Sequence, residues 1–201
     1  MTQDLFAAFV LFAVVASITP GPNNTMLMVS GANFGFARSV PHMLGVSVGF
    51  VGLLLSVGLG LGGVFAVWPP LQGILQVGGA LYLLYLAWKI ATAKGLGDNP
   101  VGAMPQTFWQ AVAFQWVNPK AWTMALSAFA AYAPKTGYVP AVLMIVAVFA
   151  VVTVPCVMIW TGSGVGLGRF LDRPAVMRIF NITMAALLVA SLYPLVAEWM
   201  G

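Results

Sequence analysis

The sequence predicts an all-α membrane protein: six transmembrane helices, laid out as two inverted three-helix repeats with helices 1 and 4 broken. Three observations predict it. Only 6% of the 201 residues are charged while 61% are hydrophobic, and eight Lys or Arg with four Asp or Glu are too few to cover a dispersed soluble domain. The apolar residues fall in runs of about 20, the length that crosses the hydrocarbon. Two of those runs carry proline-centred breaks at corresponding places.

Turn and charge signals bound each span. The first, near 5–30, ends at Gly31 to Arg38, and the second, near 43–67, at Trp68-Pro69-Pro70. The third, near 71–91, gives way to Lys89 to Pro105, and the fourth, near 108–132, to Pro134-Lys135. The fifth, near 138–162, ends in the glycine-rich stretch Gly164 to Arg178, and the sixth covers about 175–197. One transmembrane domain of residues 1–201 follows, with repeat 1 at about 1–91, a loop at about 92–107 and repeat 2 at about 108–201. The Val-rich run Ala141 to Val154 has strand composition but exceeds the roughly ten residues that strands reach, and a membrane barrel would show short alternating segments. Asp4 is the sole charge before Arg38. The basic region of a cleavable signal is missing, so the first segment is expected to be retained, and the length leaves no room for a soluble domain.

Charge separates by loop. Arg38, Lys89, Lys94, Arg169, Arg173 and Arg178 follow spans 1, 3 and 5, whereas the tails and the other loops hold only Lys135. The positive-inside rule then puts loops 1, 3 and 5, the 92–107 loop included, in the cytoplasm and both termini outside. The net charge of +4 comes from scattered residues with no basic run, so no nucleic-acid partner is expected.

The most informative segment is Thr19-Pro20-Gly21-Pro22-Asn23-Asn24, in the middle of span 1. Proline lacks an N–H and clashes with the preceding turn, so this segment cannot continue a helix. In hydrocarbon the freed carbonyls need partners, and such a break survives only where it is buried in protein or lines a wet cavity. Thr19, Asn23 and Asn24 can supply partners. A kink needed only for packing leaves the adjacent Asn pair, costly in a membrane unless used, unexplained. Asn118-Pro119-Lys120 is a second break and reads as an N-cap followed by proline at the first helical position. Lys120 is the one charge far from a predicted edge: the stretch from Phe108 to Asn118 rises about 16 Å, near half the hydrocarbon thickness. Snorkelling to an interface is the alternative.

Sliding the first half by 97 residues, the distance from Pro22 to Pro119, also brings Ser30 onto Ser127 and Arg38 onto Lys135. Three spans per half invert the second half, and discontinuous helices at equivalent positions of inverted halves point to a transporter's central site. Each break exposes a half-helix N-terminus with partial positive charge. With Lys120 beside them, the site is expected to take an anionic group such as a carboxylate. The substrate-binding candidates are Thr19, Pro20, Gly21, Pro22, Asn23, Asn24, Asn118, Pro119 and Lys120. Asp4, Asp98, Asp172 and Glu198 all fall at predicted edges, which argues against a strongly basic substrate.

Thr19 to Asn24, then Ser30-Gly31, Gly35, Arg38, Gly45 and Gly49, resembles the opening of the LysE/RhtB family of amino-acid exporters. Gly79-Ala80-Leu81-Tyr82-Leu83-Leu84-Tyr85-Leu86-Ala87-Trp88-Lys89 looks like that family's third-span ending, and Asn118-Pro119-Lys120 like its fourth-span motif. Ala87 to Thr92, Phe108-Trp109 with Gln115-Trp116-Val117-Asn118, and Asn181-Ile182 with Ala186 to Val189 look most like the cysteine/O-acetylserine exporter branch. The chain departs from that branch at Pro119 and at Ser191-Leu192-Tyr193-Pro194. The resemblance implies proton-driven antiport of small neutral amino acids or derivatives, cysteine/O-acetylserine- or threonine/homoserine-like. It also implies a bacterial inner membrane, periplasmic termini and no cofactor.

Other features are weighed as pathway or gating candidates: His42, Tyr85, Trp116, Pro155 and Asn181. His42 could relay protons, but lying four residues after Arg38 it is expected at a wet cytoplasmic edge. Tyr82, Tyr85, Trp88, Trp109, Trp116 and Trp199 are expected mainly as interfacial anchors, with Tyr85 and Trp116 the two that could reach substrate. Pro155 kinks span 5, where Thr153 can help satisfy the freed carbonyl, and Asn181 reads as interhelical glue. Gly45, Gly49 and Gly52 form a small-residue face for close packing, within the protomer or in a homodimer. Gly162, Gly164, Gly166 and Gly168 lack a phosphate-loop lysine and a preceding strand, so they are expected in a flexible loop. Cys156 is expected as a small core residue. No Ser/His/acid set, HExxH motif or paired mid-span carboxylate appears, so no enzyme is expected. The competing class is a non-transporting scaffold or subunit of a larger complex, which would have no use for disrupted helices.

Overall fold

Proline and glycine decide where the helices of this chain begin, bend and end. The computed structural model describes residues 2–61, 63, 67–93, 105–133, 137–171, 173–193 and 196–197, and every regular element among them is helical. Helix α1 (Gln3–Ile18) is capped by Thr2, whose hydroxyl accepts from the Leu5 N–H, and stops at the first break. Helix α2 (Pro22–Ser56) starts on proline and runs into a π turn at Val57–Leu61. Helices α3 (Pro69–Thr92), α5 (Pro119–Tyr132) and α7 (Pro174–Ala190) also open on proline, which needs no N–H partner there. Helix α4 (Phe108–Gln115) is short and held by a reciprocal Thr107–Gln110 capping box, and α6 (Tyr138–Gly168) is long.

Helix α2 is two arms. Ser30 Oγ lies 2.8 Å from His42 Nδ1, 12 positions on, whereas a straight helix would separate them by about 18 Å. The chain therefore folds back between them, at Gly35, whose φ of 77° and ψ of 172° interrupt the helix. The expected loop from Gly31 to Arg38 is thus a single glycine with helix on both sides. That conformation is open essentially only to glycine, and nothing lies within 4 Å of where its Cβ would be. Gly35→Ala is expected to destabilise by about 1–3 kcal/mol through backbone strain alone, read as a lower Tm in detergent. Gly52→Ala, equally unobstructed but helical, is expected to leave Tm unchanged or raise it.

Three other boundaries move. The second span's regular helix ends at Ser56 instead of reaching 67, the fifth continues past 162 to Gly168, and the sixth covers Pro174–Ala190. Gly164 and Gly168 are therefore not loop glycines. A Cβ on Gly164 would meet the Met28 carbonyl and one on Gly31 the Thr161 carbonyl, so α6 and the first arm of α2 touch backbone to backbone. Gly45 and Gly49 do the same against Phe108 and Val112 of α4, so this small-residue face is used inside the protomer; Gly52 faces open space.

Among the described residues two large apolar centres hold the packing, and a smaller third joins Leu27, Met43 and Val46 of α2 to Ala111 of α4 and Val157 of α6. One of the large pair joins Leu83, Leu86 and Ile90 of α3 to Met177, Phe180 and Leu188 of α7, with Met26 and Val29 of α2. The other surrounds Phe149 of α6, whose ring stands edge-on to Phe9 at 5.6 Å and Phe50 at 5.3 Å. Large apolar side chains such as Leu11, Val139, Val151 and Ile179 also cover the outside, as a bilayer-facing surface requires. Residues 22–61, 73–92 and 138–168 are each long and apolar enough to cross a membrane. Lys94, Asp98, Pro134, Lys135, Asp172, Pro194, Glu198 and Trp199, with most of the 92–107 loop, lie outside the described residues.

Candidate functional site

A break in a buried helix frees carbonyls on one side and N–H groups on the other. At the first break the carbonyls of residues 17 to 20 all find side-chain donors. Asn24 Nδ2 donates to the Ser17 and Thr19 carbonyls, both at 2.8 Å. Trp160 of α6 donates its ring N–H to the Ile18 carbonyl at 3.0 Å. Lys120 of α5 donates to the Thr19 carbonyl at 2.7 Å, to Thr19 Oγ1 at 2.9 Å and to the Pro20 carbonyl at 3.3 Å. A cation thus sits at the negative end of α1, where dipole and charge-assisted hydrogen bonds both favour it. Gly21 makes room: a Cβ there would lie 2.6 Å from Lys120 Cδ. The sequence marked Lys120 as a charge without a partner. An ammonium has three N–H groups, and here they meet three oxygens of the opposite break.

The second break is built as Asn-Pro predicts. Asn118 is the N-cap, its side chain accepting from the Lys120 N–H at 3.1 Å, and Pro119 opens the helix. The Trp122 ring N–H donates to the Trp116 carbonyl at 2.9 Å. Asn23 joins the two breaks through Gln115: Asn23 Nδ2 donates to Gln115 Oε1 at 2.8 Å, and Gln115 Nε2 to Asn23 Oδ1 at 3.1 Å. Gln115 is fully buried and was not a sequence candidate. It stood in the Gln115-Trp116-Val117-Asn118 stretch that carries the resemblance, on the turn before Pro119, but nothing in the chain marked it as a site residue.

The two half-helix N-termini differ. That of α5 is closed by Asn118, whereas α2 begins on Gly21 with no side-chain cap. Helix geometry leaves the Asn23 and Asn24 N–H groups without an intrahelical carbonyl. The half-helix N-terminus left without a side-chain cap is therefore that of α2.

A cavity with about 40 Å³ of room for water centres lies where the breaks meet, lined by Ser17, Gly21, Asn23, Asn24, Asn118 and Lys120 and by apolar Val46, Phe50 and Met124. One water takes roughly 10–15 Å³ by this measure, so the space holds a few waters or the polar head of a small solute. Two further lining residues, Ser17 and Thr153, have buried hydroxyls without a hydrogen-bond partner. Thr153 therefore does not satisfy the carbonyl freed by Pro155, as the sequence had led one to expect. Cys156 is buried as expected and is part of the same wall.

The remaining candidates are not in the wall of this cavity. Tyr85 is exposed, with the Lys89 ammonium 5.0 Å above its ring. Trp116 packs on Trp122, and Pro155 is exposed on α6. Asn181 is buried and donates to the Ala93 carbonyl at 3.1 Å, tying α7 to the end of α3. His42 is not at a wet edge: it is fully buried on Ser30, because the fold at Gly35 turns it inward.

The LysE type translocator family profile matches residues 14–191, both breaks included. The cysteine/O-acetylserine efflux protein of Escherichia coli strain K12 is 31% identical over 191 residues, covering 94% of this chain and 96% of the relative. The same figures hold for the Shigella sonnei protein of that name, and the Escherichia coli O139:H28 protein is 30% identical over the same shares. No solved structure matches. A profile covering most of the sequence, with helices long and apolar enough to cross a bilayer, makes this a multi-pass membrane protein. The chain belongs to the LysE type translocator family.

Proposed function

We propose that this protein is a proton-driven secondary exporter of small neutral amino acids or their derivatives across the bacterial inner membrane. Cysteine and O-acetylserine, or threonine- and homoserine-like molecules, are the substrate class, and the protein is no enzyme. The observation that carries this reading is the cavity where the two helix breaks meet. The names of the relatives point to the same class of cargo. The substrate carboxylate would take the N–H groups of Asn23 and Asn24, with the Lys120 ammonium as neighbouring charge. Its ammonium would take the Ser17 and Thr153 hydroxyls, and a short side chain would face Val46, Phe50 and Met124. Among the described residues no Asp or Glu lines the cavity, which favours a zwitterion over a basic amino acid.

Six crossings arise if α1 and the first arm of α2 together make one, and α4 and α5 another. The loop charges then put both termini in the periplasm, and rocking one three-helix half against the other would alternate access. The test is export from cells overproducing the protein. Intracellular cysteine or O-acetylserine is expected to fall and resistance to rise. Unchanged levels of cysteine, O-acetylserine, threonine, homoserine and leucine, with the protein in the membrane, would refute the reading. Cys156 is the one cysteine of the chain, so protection from a permeant maleimide reports occupancy of the cavity directly.

A further inference from the structure

A second cavity lies away from the breaks, with about 20 Å³ of room for water centres, lined by Met26, Val29, Ser30, His42, Leu86 and Gln106 among others. That is space for about one water. His42 is the single histidine of the chain, and it is fully buried in this wall. Its Nδ1 holds Ser30 Oγ at 2.8 Å, while its Nε2 has no partner. Gln106 comes from the segment leading into α4 and is also buried. Its Nε2 donates to Tyr82 Oη at 3.3 Å and contacts Met26 Sδ at 3.8 Å. Its Oε1 is left unmatched. One cavity thus has a ring nitrogen and an amide acceptor in its wall, both without partners and with room for a water.

We propose that His42 is the proton-carrying group of this transporter, with Ser30 on one ring nitrogen and the cavity water with Gln106 Oε1 on the other. This rests on the export reading being proton-coupled. Neutral imidazole has one donor and one acceptor, and the imidazolium has two donors. The Ser30 hydroxyl serves both forms by rotating between donating and accepting. A proton relayed by the water forms the Nε2–H bond with the nitrogen lone pair as one O–H bond of the protonated water breaks, its electron pair returning to the water oxygen. Both N–H groups then face acceptors, Ser30 Oγ and the water beside Gln106 Oε1.

Among the described residues no neighbouring charge competes for the role, and none of those lining this cavity is charged. From α3, Tyr82 reaches the site only through Gln106, and Lys89 lies over the Tyr85 ring. On α2 itself, Arg38 sits 5.6 Å over the Phe34 ring. Helices α4 and α6 contain no charged residue, and Arg178 of α7 is exposed. Lys120 belongs to the other cavity and already meets three oxygens.

The position also suits coupling. Val46, in the wall of the first cavity, follows His42 by about one helical turn, and Asn23 precedes Ser30 by about two. The Ser30–His42 pair pins together the two arms that carry those walls. A change in its protonation therefore acts on the site where substrate would sit.

The test uses the full chain in proteoliposomes with O-acetylserine. Three readouts are needed: flux driven by a proton gradient, substrate-dependent proton movement, and counterflow exchange without a gradient. His42→Gln is expected to lose at least tenfold in driven flux and all coupled proton movement, while counterflow stays within twofold of wild type. Intact driven flux overturns the proposal, as does loss of counterflow in parallel, which marks a binding or structural role. Ser30→Ala leaves the ring in place and is expected to shift the pH dependence of driven flux; a wild-type profile overturns the proposal. Wild-type export without proton movement would refute proton coupling itself, and absence of any wild-type flux would refute the export reading.

Discussion

Lys120→Met is expected to abolish export of O-acetylserine and to destabilise the protein by about 2–3 kcal/mol. Methionine keeps an unbranched chain of similar reach but has no N–H. The Thr19 carbonyl would retain Asn24 as a donor, whereas the Pro20 carbonyl and Thr19 Oγ1 would lose the donor found for them in the fold. Hydrogen bonds to charged groups contribute roughly 1.5–3 kcal/mol each, discounted here because the Pro20 contact is partly open. Lys120→Arg is expected to keep part of the stability and lose export, because the guanidinium is wider than the slot left beside Gly21. Two measurements separate the roles of Lys120. Thermal unfolding without substrate reads the tie between the breaks, and protection of Cys156 from alkylation reads substrate affinity. A fall of at least tenfold in affinity, 1.4 kcal/mol, would make the ammonium a substrate contact. A lower Tm with unchanged protection would leave the carboxylate on the Asn23 and Asn24 N–H groups alone. A variant with wild-type Tm and wild-type export would refute both roles.

Lys120 also shows which parts of the site were legible in the sequence. Proline removes a donor wherever it stands, so Pro20, Pro22 and Pro119 marked the breaks, and Asn118 before proline announced its own cap. These are local signals, each carried by neighbours in the chain. The pairing of Asn23 with Gln115 spans 92 positions, and no local pattern selects Gln115 from other amides. Ser17 and Thr153 are similar: their hydroxyls matter because of what they lack, which only the assembled cavity reveals. His42 was misplaced for a related reason. Distance from Arg38 along the chain implies an edge, but the fold at Gly35 turns that arm so the ring points inward. The helical class and the apolar runs were legible because composition and length decide them. The boundaries at Gly31 to Arg38 and after Gly162 erred because glycine was taken for loop. Glycine lowers helix propensity, yet between membrane helices it lets backbones approach.

Gly164→Val is expected to lower stability by at least about 3 kcal/mol. A Cβ on Gly164 would meet the Met28 carbonyl oxygen and lie 3.0 Å from the Ala32 backbone nitrogen. These are backbone atoms of a helix and cannot rotate aside, so α6 and the first arm of α2 must part. That arm carries Asn23, Asn24 and Ser30, and α6 carries Trp160, so parting strains the Trp160–Ile18 hydrogen bond as well as the contact itself. Overpacking typically destabilises by about 1–3 kcal/mol, and a branched side chain against two backbone segments falls at or beyond the upper end. Gly164→Ala is expected to lower Tm measurably. Gly162 and Gly166 have nothing within 4 Å of the same hypothetical atom. Alanine there is expected to leave Tm unchanged or raise it, since alanine favours helix over glycine by roughly 0.5–1 kcal/mol. Opposite signs at Gly162 and Gly164 are the signature of an interface on one face of α6. A flexible loop, the other reading of these glycines, predicts small effects at both. Equal effects at Gly162 and Gly164, in size-exclusion profile and Tm, would therefore refute the packed interface, while damage confined to Gly164 ties that glycine to the contact that holds α6 against the first arm of α2.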